Sequence, residues 1–372
     1  MAKLQSNAPL RHIDVPLVVG STAIAGYGVL MVYAATRTKL EAAGGSPRMF
    51  LDRQVAWVGL GLVAMVLVMA VDYRRLLDAA PVVYVPAVLA LVFVLSPLGS
   101  SARGAQRWFN VGSLQVQPSA LASGALIVAL AAYCHVRRGD LGLAGVAVCV
   151  ALAGIPMALV AVQPDLGSAI VLGSVLLTVL LVAGASAKHL AVLGLAAVTM
   201  VTLVGHFGLL KPYQRSRLTA FLDQSNNRDA ANYNLEQSKV AIGSGGLVGK
   251  GLFQGTQTNL AFVPEQQTDF IFTAVGEQLG FAGAAVLLGL FAIVAWRIWR
   301  VARLSRDLAG TLACAGVLGL IMIQLFENAG MTMGIMPITG IPLPLVSYGG
   351  SSTIVTFAAL GLVNSVAMHR FT

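Results

Sequence analysis

From Ile13 to Ala35 the chain reads IDVPLVVGSTAIAGYGVLMVYAA, a run whose only charge, Asp14, sits at its leading edge. A helix rises about 1.5 Å per residue, so about 20 apolar residues cross the hydrocarbon layer of a bilayer. A cleavable secretory signal has a shorter apolar region followed by a small-residue cleavage site, so this run reads as an uncleaved first span. The pattern recurs at residues 54–71, 81–98, 114–133, 141–161, 166–183, 187–210, 269–296, 307–330 and 346–368. Of 372 residues, 57% are apolar and 10% charged, against roughly 25% charged in a soluble domain. A transmembrane β-barrel shows short alternating segments instead. The expected fold is an all-α polytopic membrane protein, one transmembrane domain over residues 1–372. It has about ten transmembrane helices and a large extracytoplasmic loop, about 211–268, between spans seven and eight.

Lys and Arg in the loops set the orientation. With the N-terminus inside, twelve of the 24 basic residues fall on the inner side and six in short outer loops; the rest lie in the long loop. Both termini are therefore expected to be cytoplasmic. The net charge of +9 then reports topology, and nothing points to nucleic acid. Cys134, Cys149 and Cys314 fall within spans or at cytoplasmic ends, away from any oxidising face, and their spacing matches no metal site. They read as packing residues.

Several acidic residues sit at or inside spans, among them Asp165, Asp269, Glu277 and Glu327. An Asp at the centre of a spanning helix costs about 2.5–3.5 kcal/mol, which makes such residues functional candidates. In this topology Asp165, Asp269 and Glu327 lie toward the outer leaflet, with Glu277 about two turns below Asp269. Arg103, Arg107, Lys239 and Lys250 collect on the same side. The pattern predicts an outward-facing polar site holding both signs of charge.

Several segments carry chemistry. Arg103 and Arg107, beside Trp108, form a pair suited either to gripping a diphosphate or to anchoring the chain at the membrane boundary. In Gln163-Pro164-Asp165-Leu166-Gly167, Asp165 suits the N-cap of the next helix, a role compatible with function. Residues 232–241, with Gln237 and Lys239, read as a short helix. The Gly-rich run from Gly243 to Gly251 resembles a Walker loop only superficially. Ser244 stands in place of the first Gly, and Gly251 follows Lys250 where Ser or Thr is required. It reads as a mobile loop able to offer N–H groups to phosphate. Pro264 and Glu265 lead to Thr268 and Asp269, either of which suits the N-cap of the next span. A carboxylate capping that helix is held ionised by the helix dipole and can accept a proton from a substrate hydroxyl. Between Pro337 and Ser352, three prolines and three glycines exclude a continuous helix. The segment, with Ser347, reads as a re-entrant loop lining the outer site.

Taken in order, the blocks Arg103–Phe109, Gln163–Gly167, Gln237–Gly251, Pro264–Phe272 and Pro337–Ser352 resemble the signature segments of the SEDS family (shape, elongation, division and sporulation proteins). The run from Gly249 to Gln257 leading into Pro264 and Glu265 is more similar to the RodA branch than to FtsW. The resemblance implies a ten-span peptidoglycan glycosyltransferase. It would polymerise lipid II, an undecaprenyl-linked substrate, at the outer face of the cytoplasmic membrane beside a class B penicillin-binding protein. It also implies that Asp269 is the essential carboxylate; Arg103, Arg107, Trp108, Asp165, Gln237, Lys239, Lys250, Glu265 and Ser347 are the residues expected around the substrate. No metal ligand is assigned, although a divalent cation (Mg or Mn) can assist the leaving diphosphate. One departure stands out. After Gln117-Pro118-Ser119 the family continues Glu, Leu, Ala, Lys, whereas this chain has Ala120, Leu121, Ala122 and Ser123. Both members of a charged pair are missing together, so no lone buried charge need result.

Two other function classes fit some of these features. A lipid II flippase also uses broken segments and charges within spans, but its site belongs near the membrane midplane. A scaffold that only recruits the transpeptidase would not need Asp269.

Overall fold

The computed structural model describes residues 12–97, 99–102, 105–111, 114–137, 141–206, 212–223 and 230–370. In chain order its elements are α1 (Val15–Ala42), α2 (Met49–Ala70), the short α3 (Tyr73–Asp78) and α4 (Ala80–Phe93). Three strands follow, β1 (Ser100–Ala102), β2 (Ala105–Val111) and β3 (Leu114–Val116). Then come α5 (Pro118–Val136), α6 (Leu143–Val162), α7 (Leu166–Val182), α8 (Ala187–His206), α9 (Pro212–Leu222), α10 (Ala230–Gly245) and α11 (Thr256–Asn259). The last three are α12 (Ile271–Arg303), α13 (Leu308–Met333) and α14 (Gly350–Met368). Seven of these helices are long and apolar enough to cross a membrane: α1, α2, α5, α6, α12, α13 and α14. Three shorter apolar helices, α4, α7 and the Ala187–Met200 part of α8, occupy the other predicted runs.

Local chemistry starts these helices where the sequence suggests. Asp14, Asp72, Asp165 and Asp307 each accept a backbone N–H from the first turn that follows, which satisfies an orphan donor. Pro118 opens α5, where its missing N–H costs nothing. Apolar residues lie on every face. Leu126, Ile127, Leu172, Leu312 and Leu360 fill one continuous core, while Val192, Leu195 and Val198 on α8 and Leu67 on α2 stay exposed. Exposed aliphatic rows of that kind suit a lipid solvent. Cys134 and Cys149 are buried free thiols that share a hydrogen bond, with Sγ atoms 3.5 Å apart, and Cys314 is buried on α13, as packing residues should be.

Two polar clasps close one end of the bundle. Asp14 accepts Arg297 Nε at 2.9 Å and Nη2 at 2.5 Å, and its own N–H donates to Asn364 Oδ1 at 3.0 Å. The start of α1 therefore meets the end of α14. Asp307 accepts the Tyr73 hydroxyl at 2.8 Å and Arg74 Nε at 3.2 Å. Burial pushes the Asp307 carboxyl up, but hydrogen bonds from Gly310 N–H, Tyr73 and Arg74 outweigh it and hold the group below its ordinary value. A depressed folded value means that this clasp contributes fully above the unfolded pKa, about 3.9, and is lost as pH falls through the folded value. Thermal unfolding is therefore expected to separate wild type from Asp307→Asn above about pH 4 and to bring them progressively together as pH falls below it.

The region around Arg107 differs from expectation. Residues 105–111 form the middle strand of an antiparallel sheet, with Trp108 opposite Ser100 and Phe109 opposite Val116. Strands of three residues are too short to show a period of two. The predicted span at 114–133 accordingly starts with β3, and its helix begins only at Pro118.

The Gly-rich run is the larger correction. α12 is interrupted at Gly280, which has φ 63° and ψ −162°. That break frees backbone groups that need partners at membrane depth, and the run from Gly246 to Gly251 supplies them. Lys250 N donates to Glu277 O and Gly251 N to Gln278 O, both at 3.0 Å. In return Phe281 N donates to Gly246 O and Ala282 N to Leu247 O, both at 2.9 Å. The run is thus spliced into a broken helix. The N–H groups of Lys250 and Gly251 serve α12 rather than a phosphate. A Cβ at Gly280 would lie 2.3 Å from Gly249 N, so the splice needs glycine there.

Candidate active site

Glu265 begins a tight turn with φ 54°, and its carbonyl accepts the N–H groups of Thr268 and Asp269, each at 3.1 Å. Phe270, with no side-chain cap, takes the N-cap of α12. Neither Thr268 nor Asp269 caps the helix, because both are already tied into the turn. The re-entrant segment then pins that turn from the other side. Tyr348 N donates to Gln267 O at 2.8 Å and Ser347 Oγ to Thr268 O at 2.5 Å. Asn328 Nδ2, on α13, donates to Asp269 O at 2.7 Å and to Ile341 O at 2.8 Å. Residues 335–349 are irregular but largely buried, as predicted for a re-entrant loop, and these side-chain bonds satisfy part of its backbone.

With its main chain fixed, the Asp269 side chain faces a cavity of about 720 Å³. Arg107, Trp108, Asp165 and Glu265 line the same cavity. So do Arg53 and Trp57 of α2 and Arg217 of α9, which sequence reasoning did not single out. Arg53 was legible only as a basic residue at the outer edge of a span, and Arg217 only as part of the long loop. A methyl group at Gly340 would stand 3.1 Å from Asp269 Oδ2 and 3.3 Å from Arg217 Nη1. Carboxylate and guanidinium thus flank one point, and Arg217 Nη1 is held there by Thr339 O at 3.1 Å.

Gly340 has φ 77°, a left-handed conformation that side chains disfavour. We expect Gly340→Ala to push the Asp269 carboxylate aside and lower the rate of the chemical step by about 100-fold. The substrate concentration at half-saturation should change little. Steady-state kinetics with purified enzyme check both numbers.

Asp165 caps α7 and also faces the cavity. It accepts Ser168 N at 3.2 Å and Ser168 Oγ at 2.8 Å. Arg107 Nη1 lies 3.7 Å from Asp165, while Arg107 donates to Gln163 O at 3.0 Å and also to Pro164 O. Much of that guanidinium is therefore committed to the 163–165 turn, and Arg53 and Arg217 are the further cations at the cavity wall. Arg103 lies outside the described residues. Gln237 and Lys239 on α10 do not line the cavity, nor does Lys250, whose Nζ lies 3.1 Å from Glu277 Oε1. Ser347 is buried and positions the Asp269 turn from behind.

The family departure falls on the cavity floor, where Ala120 and Ser123 stand beside Ser119 and Ser168. Ser123 Oγ donates to Ala120 O at 2.7 Å, and Ser168 Oγ lies 3.1 Å from Ser119 Oγ. The floor is lined by hydroxyls instead of a charged pair. Among the described residues no three His, Cys, Asp or Glu side chains converge as a metal site.

Comparison with known proteins gives a consistent picture. The family model FTSW_RODA_SPOVE, described as cell cycle protein, matches residues 16–372. Peptidoglycan glycosyltransferase MrdB of Escherichia coli K12 is 35% identical over 360 residues, covering 96% of this chain and 94% of that protein. Stage V sporulation protein E of Bacillus subtilis is 33% identical, covering 96% and 97%. Among solved structures, a chain of a peptidoglycan synthase complex that coordinates polymerization and crosslinking superposes with a TM-score of 0.81 at 33% identity. It covers 97% of this chain and 99% of that one. The rod shape determining protein RodA of Thermus thermophilus superposes with a TM-score of 0.72 at 31% identity, covering 97% and 98%.

Proposed function

The chain belongs to the FtsW, RodA and SpoVE family of cell cycle proteins, and from that premise we propose that it is a peptidoglycan glycosyltransferase polymerising lipid II for cell elongation. The observation that carries the reading is Asp269 held opposite Arg217 in a cavity of ligand size among apolar helices. Asp269 acts as general base on the 4-hydroxyl of the acceptor GlcNAc. The oxygen attacks the anomeric carbon of the donor sugar, the bond to undecaprenyl diphosphate breaks, and the centre inverts. Arg53 and Arg217, with Arg107, stabilise the charge that develops on the leaving diphosphate. Phe50, Trp57, Trp108 and Tyr348 offer aromatic walls for the sugars. The polyprenyl tails lie along the exposed aliphatic faces.

The protein is an integral membrane protein. We assign the cavity to the outer face and both termini to the cytoplasm, which the balance of basic residues supports. A class B penicillin-binding protein is the proposed partner; the similarity to a chain of a peptidoglycan synthase complex supports it. The test is purified full-length protein given lipid II in detergent, where flipping has no meaning. A glycan ladder on a gel is expected. Translocation in vesicles with no polymer in detergent would favour the flippase instead.

A further inference from the structure

Behind the wall that carries Asp269, a set of buried oxygens lacks a hydrogen-bond partner of standard geometry. They are Gln324 Oε1, both oxygens of Glu327, Asn328 Oδ1 and Thr339 Oγ1. The first three residues are spaced three and four apart on α13 and so share one helix face. Glu327 and Asn328 are both 0% exposed. Asn328 spends its amide nitrogen on Asp269 O and Ile341 O, which leaves its oxygen as the free end. The Thr339 hydroxyl reaches toward the Glu327 carboxyl without a hydrogen bond of standard geometry. Gln324 and Thr339 also line the cavity, which gives the set a route to water.

Charge decides what such a set can hold. Among the described residues no Lys, Arg or His pairs with Glu327, whereas Asp269 has Arg217 beside it. A carboxylate wholly buried at membrane depth, with only the Thr339 hydroxyl nearby and no counter-charge among the described residues, is among the costlier arrangements a protein can keep. Carboxylate, amide and hydroxyl oxygens are hard ligands that suit cations such as sodium, magnesium or calcium. With one carboxylate, a monovalent ion brings the cluster to neutrality, while a divalent ion would leave an excess charge in a low dielectric. A single proton could use only one of the waiting acceptors. We propose that Gln324, Glu327, Asn328 and Thr339 form a binding site for one sodium ion. The ion ties α13 to the re-entrant segment, and Asn328 transmits its presence to the Asp269 main chain. The site does not depend on the glycosyltransferase reading.

The experiment is thermal unfolding of the full-length protein in detergent, without lipid II, as sodium chloride replaces choline chloride at constant ionic strength. Wild type should gain stability saturably with sodium, as a ligand of the folded state requires. Glu327→Gln should lose the response, and Thr339→Val should need about tenfold more sodium for the same gain. Asp269→Asn should keep the wild-type response. Equal behaviour of wild type in sodium and choline, or an intact response in Glu327→Gln, overturns the site and leaves a proton on Glu327. If Glu327→Gln does not fold, Thr339→Val decides, and an unchanged midpoint overturns the proposal. Because no substrate is present, failure here is separate from failure to polymerise lipid II.

Discussion

Asp269→Asn is expected to leave the protein folded while glycan polymerisation falls by about three orders of magnitude, the scale of losing a positioned general base. The substitution keeps size and shape. It also keeps the anchors, because Asn328 holds the Asp269 carbonyl and Glu265 holds its N–H. Only the proton acceptor and the charge opposite Arg217 are lost. Melting temperature should move by no more than a few degrees, as for a substitution at the edge of a cavity. Gel analysis of labelled lipid II measures the rate and calorimetry the stability. Polymer at the wild-type rate would remove Asp269 from the chemistry.

Glu277→Ala is expected to act through the fold. Its carboxylate, 0% exposed, accepts Lys250 Nζ at 3.1 Å, Gln257 N at 2.7 Å, Thr258 N at 2.9 Å and Thr258 Oγ1 at 2.7 Å. Truncation leaves the N–H groups of Gln257 and Thr258 unpaired and the Lys250 ammonium with the Thr256 hydroxyl, at 2.6 Å, in place of a carboxylate beside the splice into α12. Each buried donor left without a partner costs about 1–3 kcal/mol. The loss also reaches the active site. Gln266 Nε2 bridges Thr258 Oγ1 at 3.1 Å and Thr273 Oγ1 at 2.9 Å, linking the loop to the turn that carries Asp269. The variant should unfold at lower temperature, be cut faster by protease within residues 249–259, and polymerise poorly. Glu277→Gln, which keeps an acceptor, should be milder. Wild-type stability in Glu277→Ala would refute this anchor.

These two carboxylates show how far sequence reading reaches here. Both were visible as acids within apolar runs, because a charge among so many Leu, Val and Ala residues is conspicuous. Their separate roles were not visible. The Lys250–Glu277 pair is 27 residues apart in sequence, and only the break at Gly280 brings the Gly-rich run against α12. The helices themselves were legible because the bilayer imposes a length on each apolar run. The small sheet around Trp108 was not, since its outer strands have three residues each. Within the cavity, Asp269, Asp165, Arg107 and Trp108 were found from local motifs, and Glu265 from the block that leads to Asp269. Arg53 and Arg217 reach it from distant elements, and tertiary packing alone identifies them. The oxygen cluster around Glu327 was equally hidden, because lacking a partner is a property of the folded chain.

The central claim is that the cavity between β2, the 265–270 turn and the re-entrant segment holds the sugars that react. Lipid II carrying a photoreactive diazirine on its disaccharide, irradiated with the full-length protein in detergent and mapped by mass spectrometry, tests it most directly. Labelling is predicted on residues 105–111, 265–270 and 339–352, competed away by unmodified lipid II. Labelling confined to α10, around Gln237 and Lys239, with the cavity residues untouched, would contradict the account.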